Sequence, residues 1–248
     1  MSGLDIIIDP EVNQNTQSYY IIQEYLKKVP VKTIIEIGAS SGGGTTEALI
    51  KGITSRFHPE GITSPIAVGS EPQSGEKDLI KMASVEVSRA RFKNLKERYS
   101  GISFFTPYNI SSLPLSRFPS EEQVAKFIRE TGIHGGNVET VLDWLRQDIQ
   151  YVKDNNFDVN GIQKIKEDFG VKKFDLAVID GSEFLGDEEF EELPDCDAYF
   201  LDDIHVYKNW NSHRMLENDK RYSKIFEEKI RGGSSLFCKN EILEKYFI

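Results

Sequence analysis

A chain of 248 residues suits one large α/β domain, or one domain carrying an inserted segment. With 39% hydrophobic and 11% aromatic residues it can bury a real core, which excludes a disordered chain. Its 30 basic residues against 40 acidic ones give a net charge of -10, which argues against a sequence-independent nucleic-acid binder, since such a protein needs a basic face.

In chain order, Met1 to Pro10 is acidic and lacks a cationic start, so no secretory leader is expected. Asn13 to Lys28 carries Tyr19, Ile22, Tyr25 and Leu26 at helical spacing, and Pro30 ends that helix. Thr33 to Ile37 is β-branched and reads as a buried parallel strand. The run Gly38-Ala39-Ser40-Ser41-Gly42-Gly43-Gly44 follows it, and Thr45 opens a helix to Ile53. A strand, a glycine turn and a helix N-terminus together make a ligand loop. Residues 54–78, with the short run Ile66-Ala67-Val68, read as an irregular insertion.

Met82 to Ser88 is the second predicted strand, with Glu86 near its end, and a helix follows from Arg89 to Tyr99. An acid at that place can accept both hydroxyls of a ribose. Glu71 competes for the role, but Glu86 is followed by a helix and by the third strand, Ile102 to Thr106, in the expected order. Helical patterns at Glu121–Glu130, Val138–Tyr151 and Gly161–Phe169 exceed one crossover, so 117–170 is expected to hold a lid or substrate-recognition segment. Lys173 to Ile179 is the fourth strand, ending at Asp180, and Asp187 to Asp197 reads as a solvated acidic face. Ala198 to His205 is the fifth strand and its exit, Trp210 to Asp219 a helix, and Ile225–Ile230 with Ser234–Lys239 a terminal hairpin. The alternation predicts a single domain over 1–248: a doubly wound, mostly parallel α/β sheet of seven strands closed by an antiparallel hairpin. No apolar run approaches the ~20 residues of a membrane span. Cys196 and Cys238 match no metal spacing and are expected to be buried free thiols of a cytoplasmic protein.

Asp180, Asp202 and Asp203 all stand at predicted strand ends, where open parallel sheets place their ligand crevice. Three carboxylates and waters suit Mg²⁺ or Mn²⁺. His205, two residues further on, is the histidine beside this group and is a candidate base or ligand.

The segment Glu36-Ile37-Gly38-Ala39-Ser40-Ser41-Gly42 resembles the first motif of class I S-adenosylmethionine-dependent methyltransferases, most nearly in its catechol O-methyltransferase-type form. An acid two residues before the first glycine suits a cationic ligand and would repel a pyrophosphate. The resemblance implies a Rossmann-like fold that binds S-adenosyl-L-methionine. It assigns that cofactor to Glu36, Gly38, Ala39, Ser40, Gly42 and Thr45, its ribose to Glu86, its adenine to Asn109 and Ile110, and a further contact to Asp180. It also implies a divalent ion at Asp180, Asp202 and Asp203, and the Asp202-Asp203 pair is similar to that of metal-dependent sugar O-methyltransferases of macrolide and surface-polysaccharide pathways. Glu183 stands where the catechol branch has a lysine base, so His205 and Asp180 are the expected catalytic residues. The implied function is O-methylation of a small polar acceptor, a sugar hydroxyl by preference, by a chain with no nucleic-acid partner and open to homodimer formation. The rival readings are a metal-dependent nucleotide-sugar glycosyltransferase and a catalytically inactive cofactor-binding scaffold.

Overall fold

Thr33–Ile37 forms β1, and its near-continuous apolar run is what a strand covered on both faces requires. In the computed structural model, which describes residues 12–57 and 80–247, β1 lies inside the sheet, third of seven strands. It pairs in parallel with β2 (Lys81–Val85) and β4 (Leu176–Ile179), placing Ile34 opposite Met82 on one side and Leu176 on the other. β3 (Phe105–Tyr108) and β5 (Ala198–Asp202) extend the parallel part outward. β6 (Tyr222–Glu228) and β7 (Ser234–Lys239) complete the order β3-β2-β1-β4-β5-β7-β6, with β7 antiparallel to both neighbours. The doubly wound sheet with a terminal antiparallel hairpin is as the strand–helix alternation predicts.

The two-residue period of the strands divides the core. Ile34, Met82, Val178 and Phe200 face α1 (Gln17–Lys28) and α2 (Thr45–Ser55), whose Tyr25, Leu26, Leu49 and Ile53 cover them. Ile35, Ile37, Val85 and Ile179 face the other way, onto Ile162 and Ile165 of α6 (Gly161–Phe169). α3 (Arg89–Arg98) links β2 to β3, and α6 is the crossover helix before β4.

The expected 117–170 segment divides in two. α4 (Glu121–Thr131), started by a Ser120–Gln123 capping box, packs on α5 (Val138–Asp154) around Val124, Ile128, Leu142 and Leu145, a core of its own that also takes in Phe184. α6 belongs to the sheet instead.

Several boundaries move. β2 stops at Val85, so Glu86 sits just beyond the strand. β3 starts three residues later than expected, because the Tyr99–Ile102 turn occupies the earlier part. β5 ends at Asp202, where Asp203 takes a left-handed φ of 57°. α7 (Gly186–Glu192) is followed by β5, α8 (Trp210–Asn218) by β6, and a further helix, α9 (Asn240–Tyr246), follows β7. Glu71, the run at 66–68 and nearly all of the 54–78 insertion lie outside the described residues. Among those described, no helix is long and apolar enough to cross a membrane.

Candidate active site

A cavity opens at the carboxyl ends of β1, β2 and β4, roofed by Asp148 and Tyr151 of α5. β1 enters it through Gly38, whose φ is 89°. A Cβ at Gly38 would stand 1.9 Å from the Asp180 carbonyl oxygen, so this position lets β1 and β4 exit side by side. A larger residue there would therefore strike the Asp180 backbone before it reached any ligand. The backbone N–H groups of Gly38 and Ala39 both donate to the Val85 carbonyl at 3.0 Å, so they serve the sheet. Of the residues assigned to the cofactor, Gly38, Ala39, Ser40 and Thr45 line the cavity.

Glu36 and Gly42 do not line it. Glu36 is 0% exposed, on the α2 side of β1, and its carboxylate accepts hydrogen bonds from Thr45 Oγ1 at 2.5 Å, Thr46 Oγ1 at 2.8 Å and the Ser84 hydroxyl. Burial raises its pKa, and the three hydroxyls oppose that rise. Glu36 thus braces the turn rather than meeting a cationic ligand. Gly42 faces Tyr99 and Leu95, and the Tyr99 hydroxyl donates to its carbonyl.

Glu86 does line the cavity, 5% exposed. The Ser88 N–H donates to its Oε1 at 2.7 Å. Burial raises its pKa, and the backbone N–H groups of Ser88 and Ser40 with the Arg91 guanidinium oppose the rise. Ile110 also lines the cavity, with Ser111 and Ser112, whereas Asn109 does not: its Nδ2 donates to the carbonyls of Glu86 at 2.7 Å and Val87 at 3.0 Å. Asn109 therefore positions the Glu86 loop instead of touching an adenine.

At the far wall Asp180 lines the cavity, and carboxylate oxygens of Asp180, Asp202 and Asp203 lie within 4.8 Å of one another. The three acids converge as the strand ends predict. A residue that no motif singles out stands among them: Lys208, 3% exposed, puts Nζ 3.2 Å from Asp180 Oδ1 and 2.7 Å from Asp203 Oδ2. Burial would lower the Lys208 pKa, but Asp180, Asp203 and Asp202 outweigh it and hold the ammonium charged. Burial lifts Asp180 to about 6, with Lys208 opposing, and burial with the Asp180 charge holds Asp202 well above the usual carboxylate range. His205 is exposed, lies against Gly233 and His213, and does not line the cavity, so the expected base is turned away from it.

Two further acids line the cavity. Asp148 accepts from the Ser182 hydroxyl at 2.7 Å, and burial lifts its pKa to about 6. Glu189, 0% exposed, accepts from Ser112 Oγ at 2.5 Å, and burial lifts it to about 7. Glu189 lies in the stretch expected to be a solvated face. The i, i+4 spacing of Leu185, Glu189 and Leu193, all buried, was the signal that it points inward.

No family model matches this sequence, and no curated protein matches it either. Solved structures do match in fold. An O-methyltransferase from Bacillus cereus, solved in complex with SAH, superposes with a TM-score of 0.51 at 13% identity, over 94% of this chain and 84% of that one. A candidate caffeoyl-CoA O-methyltransferase from Staphylococcus aureus gives 0.50 at 12%, over 93% and 86%. A candidate O-methyltransferase from Klebsiella pneumoniae gives 0.50 at 10%, over 94% and 84%. The fold is the one these O-methyltransferase structures share. At such identities the likeness is one of architecture, and residue roles rest on the geometry above.

Proposed function

We propose that this chain transfers the methyl group of S-adenosyl-L-methionine to an oxygen of a small polar acceptor. The observation that carries the reading is the sharing of one cavity by the Gly38–Thr45 turn, the Glu86 carboxylate and Asp180. Glu86, at the exit of β2, is placed to accept from a ribose diol, and Ser40 and Thr45 to flank the methionine end. The transfer is a direct in-line displacement: the carbon–sulfur bond breaks, a carbon–oxygen bond forms, and the hydroxyl proton leaves to a base. Asp180, at the meeting of cavity and acid cluster, is the group placed to take that proton. The α5 roof excludes water and holds the acceptor near the sulfonium.

A carbohydrate hydroxyl is the acceptor class we favour, on the sequence resemblance alone, with the reaction in the cytoplasm and no nucleic-acid partner. The donor set of three carboxylates suits a divalent ion in kind, but Lys208 already supplies a cation within 3.2 Å of two of them, and the group as built does not fit one. No step here runs through a metal.

Isothermal titration with S-adenosyl-L-methionine and, separately, a nucleotide sugar tests the reading. The methyl donor should bind, and Glu86→Ala should weaken it by about 1.5–3 kcal/mol, the range for hydrogen bonds to a charged group. Binding of the nucleotide sugar alone would replace this reading with glycosyl transfer. Tight donor binding with no transfer to any acceptor would leave an inactive scaffold.

A further inference from the structure

We infer that the Lys208 ammonium is the resident cation of the Asp180–Asp202–Asp203 cluster and that this chain works without a divalent metal there. Nζ sits against Asp180 and Asp203 at 3.2 and 2.7 Å, within a group whose oxygens span no more than 4.8 Å, so an ion drawn to the same oxygens would meet the ammonium at contact distance. The lysine is fixed at both ends. A Cβ on Gly186 would lie 2.8 Å from Lys208 Cγ and 2.5 Å from its carbonyl oxygen, so the first residue of α7 packs flush against the stem. The next residue, Asn209, is 0% exposed, and its Nδ2 donates to the carbonyls of Ile179 at 3.2 Å and Asp202 at 2.5 Å, stapling the segment across the ends of β4 and β5. With 3% of its surface open, the side chain is packed in on nearly every side. A lysine ammonium is a compact point charge, and here it balances the carboxylates at the same oxygens an ion would need.

Lys208's role in turnover rests on the methyl-transfer reading, whereas ion binding does not, and the two are measured separately. Mn²⁺ is titrated into the intact chain and the free-ion electron paramagnetic resonance signal is followed. The wild type should leave the signal undiminished. Lys208→Ala, which opens the cluster, should deplete it stoichiometrically, and adding Asp202→Asn to that variant should abolish the depletion. Stoichiometric uptake by the wild type, lost in Asp202→Asn, overturns the inference even where Lys208→Ala fails to fold. A Lys208→Ala chain that is folded by circular dichroism yet takes up no Mn²⁺ overturns it too. In the activity arm, excess chelator should leave methyl transfer unchanged. Complete loss of transfer, restored by Mg²⁺, would refute the metal-free site, while a chain that transfers no methyl group but keeps the Mn²⁺ pattern refutes only the methyl-transfer reading.

Discussion

At the β1–β2 wall one wholly buried carboxylate, Glu36, is met by three hydroxyls and no full charge; at the β4–β5 wall three carboxylates are met by one ammonium. Hydroxyls solvate a buried charge without cancelling it and fix the backbone that carries them, here the start of α2 and the middle of β2. An ammonium cancels charge, but only while it stays in place, and so it needs the Gly186 and Asn209 contacts that hold Lys208. One wall is built for rigidity and the other for charge balance.

The sharpest break of that contrast is Glu36→Gln. Its amide nitrogen cannot accept from the converging hydroxyls, so stability should fall by about 1–3 kcal/mol in urea unfolding, with donor affinity lost only as a consequence. Unchanged stability with lost affinity would make Glu36 a ligand contact after all.

A smaller effect separates Glu189, which has one hydroxyl partner and one oxygen without one, from both walls. Its pKa is raised to about 7 in the folded state, above the ordinary carboxylate value, so folding favours its protonated form. Its burial therefore opposes stability above pH 7, and that opposition fades as pH falls from about 7 toward the ordinary carboxylate range. Glu189→Gln should raise stability at pH 8 by on the order of 2 kcal/mol and by less at pH 5, as read from unfolding midpoints. Equal effects at both pH values would show that the carboxylate is already satisfied. The smallest effect is expected at His205, exposed and turned from the cavity: His205→Ala should change turnover less than ~2-fold and stability within ~0.5 kcal/mol. A collapse of turnover alone would restore it as the base.

Much of this was readable in the chain. The Thr33–Ile37 run, the glycine turn and the apolar runs before Asp180 and Asp202 carry their structure locally, since strand period and turn chemistry act over a few residues. What was missed depends on contacts far apart in sequence. Glu36 reads as a ligand acid until Ser84, on another strand, is seen to donate to it. Asn109 reads as an adenine contact until its amide is found on the carbonyls of Glu86 and Val87. Lys208 follows Asp203 at no motif spacing, and only the fold of the β5–α8 connection brings it back onto Asp180. His205, chosen for nearness in sequence, shows the converse error: two residues past Asp203, the chain has already turned outward.

The pairing of β1 also sets a timetable for synthesis. β1 is made early, yet one of its two partners is β4, with Ile34 opposite Leu176, and Asp175 Oδ2 accepts from the Lys32 and Thr33 N–H groups. At ribosomal rates that partner emerges on the order of ten seconds after β1 itself. Through that interval an apolar strand, Ile34-Ile35-Glu36-Ile37, waits with one edge unpaired. The nascent chain is thus most exposed to misassociation before residue 176 leaves the exit tunnel, and a pause or truncation upstream of that point leaves the product without the strand that closes its centre.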